Sequence, residues 1–587
     1  MLTKRPLAGL FSFSLDPGRG GSPAPRDEPT GLGWSLLALA WAAPWLLGAH
    51  GQPWTTFYND WLAAVGVVPL AIWVAWKQRG QVWALDRLSC GAVLLAAVPL
   101  LQAAAGLLLF PGDGLLVALH LAALAAIVAV ARRAEALAPD RTGDTLFAGL
   151  VCAALLSTGL ALYQRLDLTF LGMLVEPLPN SHRPVANVGQ PNQLATLLNW
   201  GLLGLWWAFD RRRIGASTAV LAACFLMIGV TATQSRTGLV CALGLAGAAI
   251  AWRRLEGRGP RVGAVLALAG VLLLLASLWP LAAQDLMLDK GLTLSDQAAI
   301  GRRPLIWRLA IDAIAFQPWF GYGWNQGAVA QQAVALQHPP LHLVVTHAHN
   351  LVLDLLIWNG VLIGTLVIAA LLAWFATRAR ALRRQRDAVL WLLPAVLLVH
   401  SMVELPHAQL LFLVPAAVSM GLLNQRQGAV QVLRVRDGLA RIALMALAAG
   451  ALAVFVDYRR LEADLFAMRV RAARIGDLTL TAPPEVWMLE PLGAVARALR
   501  IDGAGPLPAG ELDELSRVAT RYPSAPLLFK YAKAAALHGR ERDAERALAQ
   551  LCSLQTGLIC RQAIGAWNAQ AETAPLLKSI RLPSMPQ

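Results

Sequence analysis

What most constrains this chain is the recurrence of apolar runs long enough to cross a lipid bilayer. A hydrocarbon core about 30 Å thick needs about 20 consecutive apolar residues in a helix. A sliding window finds about thirteen such runs, near 34–50, 61–76, 89–110, 113–132, 145–163, 193–209, 214–233, 237–252, 262–282, 349–376, 388–402, 409–424 and 438–456. In hydrocarbon only helices and closed barrels satisfy their own backbone groups, and these runs are continuous rather than alternating. The expectation is an all-α polytopic membrane protein. With 57% of its 587 residues hydrophobic and 14% charged, the composition is far from that of a soluble globular domain.

Basic residues orient the spans, because Lys and Arg in short loops stay on the cytoplasmic side. With Lys4 and Arg5 inside, alternate loops carry Lys77, Arg79 and Arg87; Arg132, Arg133 and Arg141; Arg211 to Arg213; Arg253, Arg254, Arg258 and Arg261; Arg378 to Arg386; and Arg426, Arg434 and Arg436. The net charge of +15 is therefore a topology signal spread over short loops, and a nucleic-acid partner is excluded. Residues 1–32, rich in Pro, Gly and Arg and without an apolar core before a cleavage site, read as a disordered cytoplasmic tail.

In this topology the unusual polar clusters share the external face. They are RPVANVGQPNQLAT (183–196), TQSRTG (233–238), a long loop at 283–348, and HSMVELPH (400–407). Arg236 sits between two apolar runs with almost no loop, where a charge is costly and tends to be functional. Its planar fork of donors suits phosphate oxygens, although an arginine at a turn also snorkels to headgroups. Within the long loop, Leu305, Ile306, Leu309, Ile311 and Ile314 fall at helical spacing up to Gln317-Pro318, as in an amphipathic helix lying on the membrane. Arg302 and Arg303 stand at its start, where the helix dipole favours acids, which points to an anionic partner. GYGWNQG is a glycine-dependent turn, but it follows no strand and lacks the rest of a phosphate loop, so nucleotide binding is excluded.

THAHNLVLDLLIWNG (346–360) brings His347, His349 and Asn350 to the mouth of a span. A histidine there is either an interfacial cap or a general base near neutral pH. His347 and His349, two apart, do not share a helix face, and neither H-E-x-x-H nor C-x-x-C occurs. The expectation is no metal and no other cofactor.

Taken in order, NVGQPNQLATLL, QSRTG, R-x-x-x-W…P-x-x-G-x-G-W, HAHNLVLDLLIWNG and HSMVELP resemble the bacterial protein O-oligosaccharyltransferases of the PglL type, which glycosylate pilins and other periplasmic proteins and are related to O-antigen ligases and polymerases. The resemblance runs from about residue 140 to about 560 and implies a GT-C-like membrane domain at 33–457 in the bacterial inner membrane, with its site facing the periplasm. Carried onto this chain, it implies His349 as catalytic histidine, Arg236 with Arg303 or Arg302 on a lipid-linked pyrophosphate, and Gln190 and Asn192 in the donor or acceptor pocket. The donor it implies is an undecaprenyl diphosphate oligosaccharide, and the acceptor a Ser or Thr of a pilin-like protein. Asn350 and His347 are expected among the substrate-binding residues, and Glu404 either orients His349, acts as base itself, or caps the turn at Pro406. The sequence departs from the pattern at Gln193, where relatives often carry His, and at Leu405 and Gln409, where aromatics are common. The competing functions are an O-antigen ligase acting on lipid A core, a polymerase, and a transporter; the last would show paired halves and midplane polar residues, and the chain shows neither.

From 458 to 587 long apolar runs cease, and residues 522–551 read as one tetratricopeptide-like hairpin turning at His538-Gly539. Thirteen spans would leave this small helical domain in the periplasm, as a cap on the membrane domain or as an acceptor-docking module. Cys90, Cys152, Cys224 and Cys241 fall in spans as small apolar residues. Cys552 and Cys560, eight apart in an oxidising compartment, are candidates for a local disulfide.

Overall fold

The computed structural model describes residues 31–179, 181–285, 301–475, 482–501 and 507–583. The tail expected at 1–32 thus lies, up to residue 30, outside the described residues, as do residues 286–300 of the long loop. Each apolar run becomes a helix. The first part of the chain forms α1 (Gly31–Leu46), α2 (Phe57–Val65), α3 (Val68–Lys77), the short strand β1 (Trp83–Asp86), α4 (Arg87–Ala104), α5 (Pro111–Leu137) and α6 (Arg141–Arg165). Then come α7 (Pro191–Asp210), α8 (Ala216–Ala232), α9 (Arg236–Ala251) and α10 (Val262–Asp285). Beyond these lie α11 (Arg303–Phe316), α12 (Gly327–Val334), α13 (Leu351–Arg380), α14 (Gln385–Ser401), α15 (Leu410–Arg426), β2 (Gln431–Val435) and α16 (Asp437–Ala472). The last stretch holds α17 (Glu490–Arg500), α18 (Ala509–Arg521), α19 (Ala525–Leu537), α20 (Glu541–Leu554), α21 (Gly557–Ala571) and α22 (Pro575–Lys578).

Among the described residues, 7 stretches are helical, long and apolar enough to cross a membrane: Phe57–Lys77, Arg87–Ala104, Pro111–Leu137, Arg141–Arg165, Val262–Pro280, Leu351–Arg380 and Asp437–Ala472. Four shorter apolar helices, Gly31–Leu46, Ala216–Ala232, Arg236–Ala251 and Leu410–Arg426, accompany them. The helical fold is as the apolar runs demand, while the number of long spans is smaller than the number of runs. Helices outside both sets, such as α7 and α14, owe their place to packing: Trp200 on α7 is fully buried and its indole donates to the Leu393 carbonyl at 3.0 Å. It also meets Trp45 and Phe412 with ring centroids 5.8 Å away in both cases. Beside it, a Cβ on Gly201 would lie 2.5 Å from the Ala154 side chain, so α6 and α7 approach as closely as only small residues allow.

The arginine-rich loops meet at one end of the bundle. Arg426 reaches Asp387 at 2.6 Å, Glu135 at 3.0 Å and also Asp140. Arg211 joins Asp140 and Asp144, and Arg386 joins Asp210 at 2.9 Å. At that end β1 pairs antiparallel with β2, Trp83 opposite Val435. Loops that sequence reasoning assigned to one side thus share a side.

The opposite end carries the polar motifs. The helix expected in the long loop is present as α11, with Arg302 at its N-cap. The glycine turn after it wedges into α13. At Gly360 the backbone of α13 leaves helical geometry (φ 69°, ψ 178°), and Tyr322 and Gly323 N–H groups take up the freed Ile357 and Trp358 carbonyls at 2.7 and 3.1 Å. A Cβ on Gly321 would fall 2.4 Å from the Ile357 oxygen, so only glycine fits there.

α16 runs unbroken for 36 residues, about 54 Å at a helical rise, and carries the chain well beyond a bilayer core. Its Asp457 accepts the N–H groups of Trp487, Met488 and Leu489, fixing the entry to α17. The expected hairpin is α19 and α20, turning at Gly539 with φ 70°; Leu515, Leu528, Leu548 and Trp567 unite it with α18 and α21 in one core. That core also contains Phe110 and Ala335 of the preceding part, and a buried pair, Arg521 and Asp113 at 2.8 Å, ties the two together. Cys552 and Cys560 are joined by a disulfide.

Candidate active site

Glu404 is the hub of the polar end. It follows α14 in a short turn, is 6% exposed, and accepts three donors: Arg303 on one oxygen, Asn192 Nδ2 on that same oxygen at 3.1 Å, and His349 Nδ1 on the other at 3.0 Å. Burial alone would raise its pKa, but His349 and Arg303 outweigh burial and hold it at about 2. It is a carboxylate, not a cap for the turn at Pro406, whose 3₁₀ helix starts from Leu405 without a side-chain bond.

A carboxylate can only accept, so His349 donates through Nδ1, which in the neutral ring leaves the lone pair on Nε2. This is the tautomer a general base requires. His349 itself sits at φ 52°, in the left-handed region that non-glycine residues enter at a cost of about 1 kcal/mol or more. The helix cap behind it is Asn350: its Oδ1 accepts from Val352 and Leu353 at 3.0 and 3.2 Å, and its Nδ2 donates to the Met402 carbonyl at 3.1 Å. The capping role open to His349 in the sequence therefore falls to its neighbour.

Three guanidinium groups converge here. Arg303 touches Glu404; Arg183 donates through Nε to the Thr233 carbonyl at 2.9 Å and through a terminal nitrogen to Asn192 Oδ1 at 3.1 Å. Burial pushes Arg183 below its ordinary value, and after the opposing pull of Glu404 the charges of Arg236 and Arg303 push it further down. Arg236 opens α9 behind the N-cap Ser235 and is exposed, as is Arg302. Of the two arginines opening α11, Arg303 is thus the one that joins the hub. Gln190 is the N-cap of α7 and makes no side-chain capping bond.

His347 does not join His349. It turns to Asp354, 3.5 Å from Nδ1, and Asp354 also meets His407 Nε2 at 2.9 Å. These three could hold a metal ion by position, with ligand atoms within 4.8 Å of one another. Sequence reasoning missed Arg183, Asp354 and His407 as members of the site. Two left a signal: Arg183 is a cation in a loop assigned to the cation-poor side, and Asp354 is an acid inside an apolar run, which is expensive unless used. His407 left none beyond its place in HSMVELPH.

Comparison with known proteins bears on this arrangement. A family model described as O-antigen ligase matches residues 220–369, which include Arg236, Arg303 and His349. One described as the C-terminal part of a virulence factor membrane-bound polymerase matches residues 388–554, which include Glu404. A third, described as protein glycosylation ligase, matches residues 184–209, which include Gln190 and Asn192. The chain is similar to a general O-oligosaccharyltransferase of Acinetobacter baylyi, 27% identical over 554 residues that cover 91% of this chain and 94% of the relative. It is also similar to a ComP-specific O-oligosaccharyltransferase of the same organism, 26% identical over 245 residues, 41% of this chain and 44% of that one.

A bundle of apolar helices with an arginine, carboxylate and histidine cluster at one end, matched by these models and relatives, is a glycosyltransferase-type membrane enzyme similar to the O-antigen ligases. Within that class the chain resembles the PglL-type bacterial protein O-oligosaccharyltransferases.

Proposed function

We propose that this enzyme transfers an oligosaccharide en bloc from an undecaprenyl diphosphate carrier to Ser or Thr hydroxyls of periplasmic proteins such as pilins, at the outer face of the bacterial inner membrane. The observation that carries the reading is the convergence of Arg183, Arg236 and Arg303 beside a His349–Glu404 pair at the end of the bundle away from the arginine-rich loops. Guanidinium forks match pyrophosphate oxygens and stabilise the charge that grows on them as the anomeric C–O bond breaks. The acceptor hydroxyl forms the new C–O bond and loses its proton to His349 Nε2, while Glu404 holds the imidazole in that tautomer. Polyprenyl diphosphate leaves with the electrons of the broken bond. Fixed cations fill the electrostatic role, and no step calls for a metal.

In this reading the N-terminus is cytoplasmic and the helices cross the membrane thirteen times, with α7 and α14 among the crossings. Residues 33–457 form the transferase and residues 458–587 a periplasmic helical domain seated on it. The His342 amide donates to the Ser553 carbonyl at 3.0 Å, a contact by which that domain supports the chain leading into His349.

The test is to incubate the purified protein with lipid-linked glycan and either a pilin-like protein or lipid A core. Sugar on the protein supports the reading; sugar on lipid A core alone replaces it with an O-antigen ligase.

A further inference from the structure

We infer that Asp354 and His407 are positioning residues for the transfer reaction: they form a third link between the two segments that carry His349 and Glu404, and hold His349 in its reactive orientation. This rests on the reading of the site as a transferase centre.

The two segments, 347–354 and 402–407, are linked at three places. His349 bonds Glu404, and Asn350 bonds the Met402 carbonyl. The third link is Asp354 to His407 at 2.9 Å. Asp354 has no exposed surface, and its other oxygen accepts the Ala348 N–H at 2.7 Å. The residue so fixed, Ala348, immediately precedes His349, whose left-handed backbone persists only if its surroundings over-determine it. On the other side of that residue, in the peptide joining it to His349, the Ala348 carbonyl accepts from the Trp307 indole at 3.1 Å. One carboxylate thus clamps the chain before the base and, through His407, the turn three residues after the carboxylate that orients the base.

The chemistry of the cluster favours this bridge over a bound cation. An imidazole that ligates a metal ordinarily passes its other ring N–H to an acceptor. His407 Nδ1 is buried and has no such partner, so a proton there would be stranded. A single proton on Nε2, donated to Asp354, leaves only a lone pair on the buried nitrogen. Burial, partly offset by Asp354, also pushes His407 below its ordinary pKa, in keeping with a neutral ring.

The experiment uses full-length protein in detergent, with steady-state transfer to an acceptor protein, donor binding and thermal unfolding measured in parallel. His407→Leu and Asp354→Asn should each lower kcat about tenfold to hundredfold, the effect of misplacing a catalytic group by about 1 Å, while KM and affinity for the donor stay within about threefold. His407→Gln, whose amide can still donate to Asp354, should recover most of kcat. Normal kcat in His407→Leu overturns the inference. So does a joint fall of kcat, donor affinity and unfolding temperature, the mark of a merely structural role, or a His407→Gln variant as impaired as His407→Leu. Loss of wild-type activity on chelation, restored by zinc, would overturn it in favour of a metal site. If the unsubstituted enzyme glycosylates only lipid A core, the protein-acceptor reading falls, and the kcat split measured on that acceptor still decides the bridge.

Discussion

Replacing Glu404 by glutamine tests the centre of the site with almost no change of volume. The carboxyl lies at about 2 against an ordinary 4.5, and each tenfold change in proton affinity corresponds to about 1.4 kcal/mol. Ionised Glu404 is therefore worth about 3 kcal/mol to its surroundings. Arg303 and His349 are each 27% exposed, so water screens part of this and the figure is an upper one. If the network is used in full at the transition state, Glu404→Gln lowers kcat about tenfold to hundredfold. Because the folded value lies below the ordinary one, the stabilisation is complete above about pH 4.5 and is lost as pH falls through about 2. Glu404 therefore stays ionised across the range in which the enzyme works, so the acid limb of the rate profile belongs to another group, and the substitution should lower the plateau without moving that limb. The assay is transfer of lipid-linked glycan to an acceptor protein between pH 5 and 8, with unfolding temperature as the control. A plateau within about threefold of wild type would refute the argument that the carboxylate charge orients the base.

His349→Ala should lower transfer about a hundredfold to ten-thousandfold with donor binding retained, whereas His347→Ala, which loses the 3.5 Å contact to Asp354 and edge-on ring contacts with Trp358 and His407 but none to Glu404, should be milder; equal losses would contradict the division of roles between them. Arg236→Lys and Arg183→Lys should weaken donor binding, since a point charge cannot replace a planar fork, and a lysine variant that binds donor normally would return that arginine to a structural role. Arg521→Ala strands Asp113, 5% exposed, and should destabilise the seat of the C-terminal part by about 3–5 kcal/mol, seen as a lower unfolding temperature and faster proteolysis between α16 and α18; an unchanged melt would refute it. Phosphatase fused after residue 460 should be active and after Arg384 inactive, and the reverse result would place the site on the cytoplasmic side.

Much of this protein is legible in local sequence because the bilayer is an unforgiving solvent. A continuous apolar run satisfies its own backbone groups most simply as a helix, the runs are helical in the structure, and arginine placement predicts which loops share an end, as Arg211, Arg386 and Arg426 do around Asp140. The motifs also marked stretches that meet at the candidate site, since polar residues at a bilayer edge are retained at a cost. What sequence could not settle was partnership. Nothing in the spacing of residues 192, 303, 349 and 404 says that one carboxylate gathers all three other side chains, because the contacts span up to 212 positions along the chain and exist only once α7, α11, α13 and α14 have packed. The same holds for Arg183, drawn into the site by Asn192 and the Thr233 carbonyl, and for His347, adjacent to His349 in the motif yet turned toward Asp354 and His407. Local sequence sets which segments are helices and which ends are polar, because those follow from hydration of single segments. Which atom faces which is decided by the packing of helices distant in the chain, and that is where the geometry of the candidate site resides.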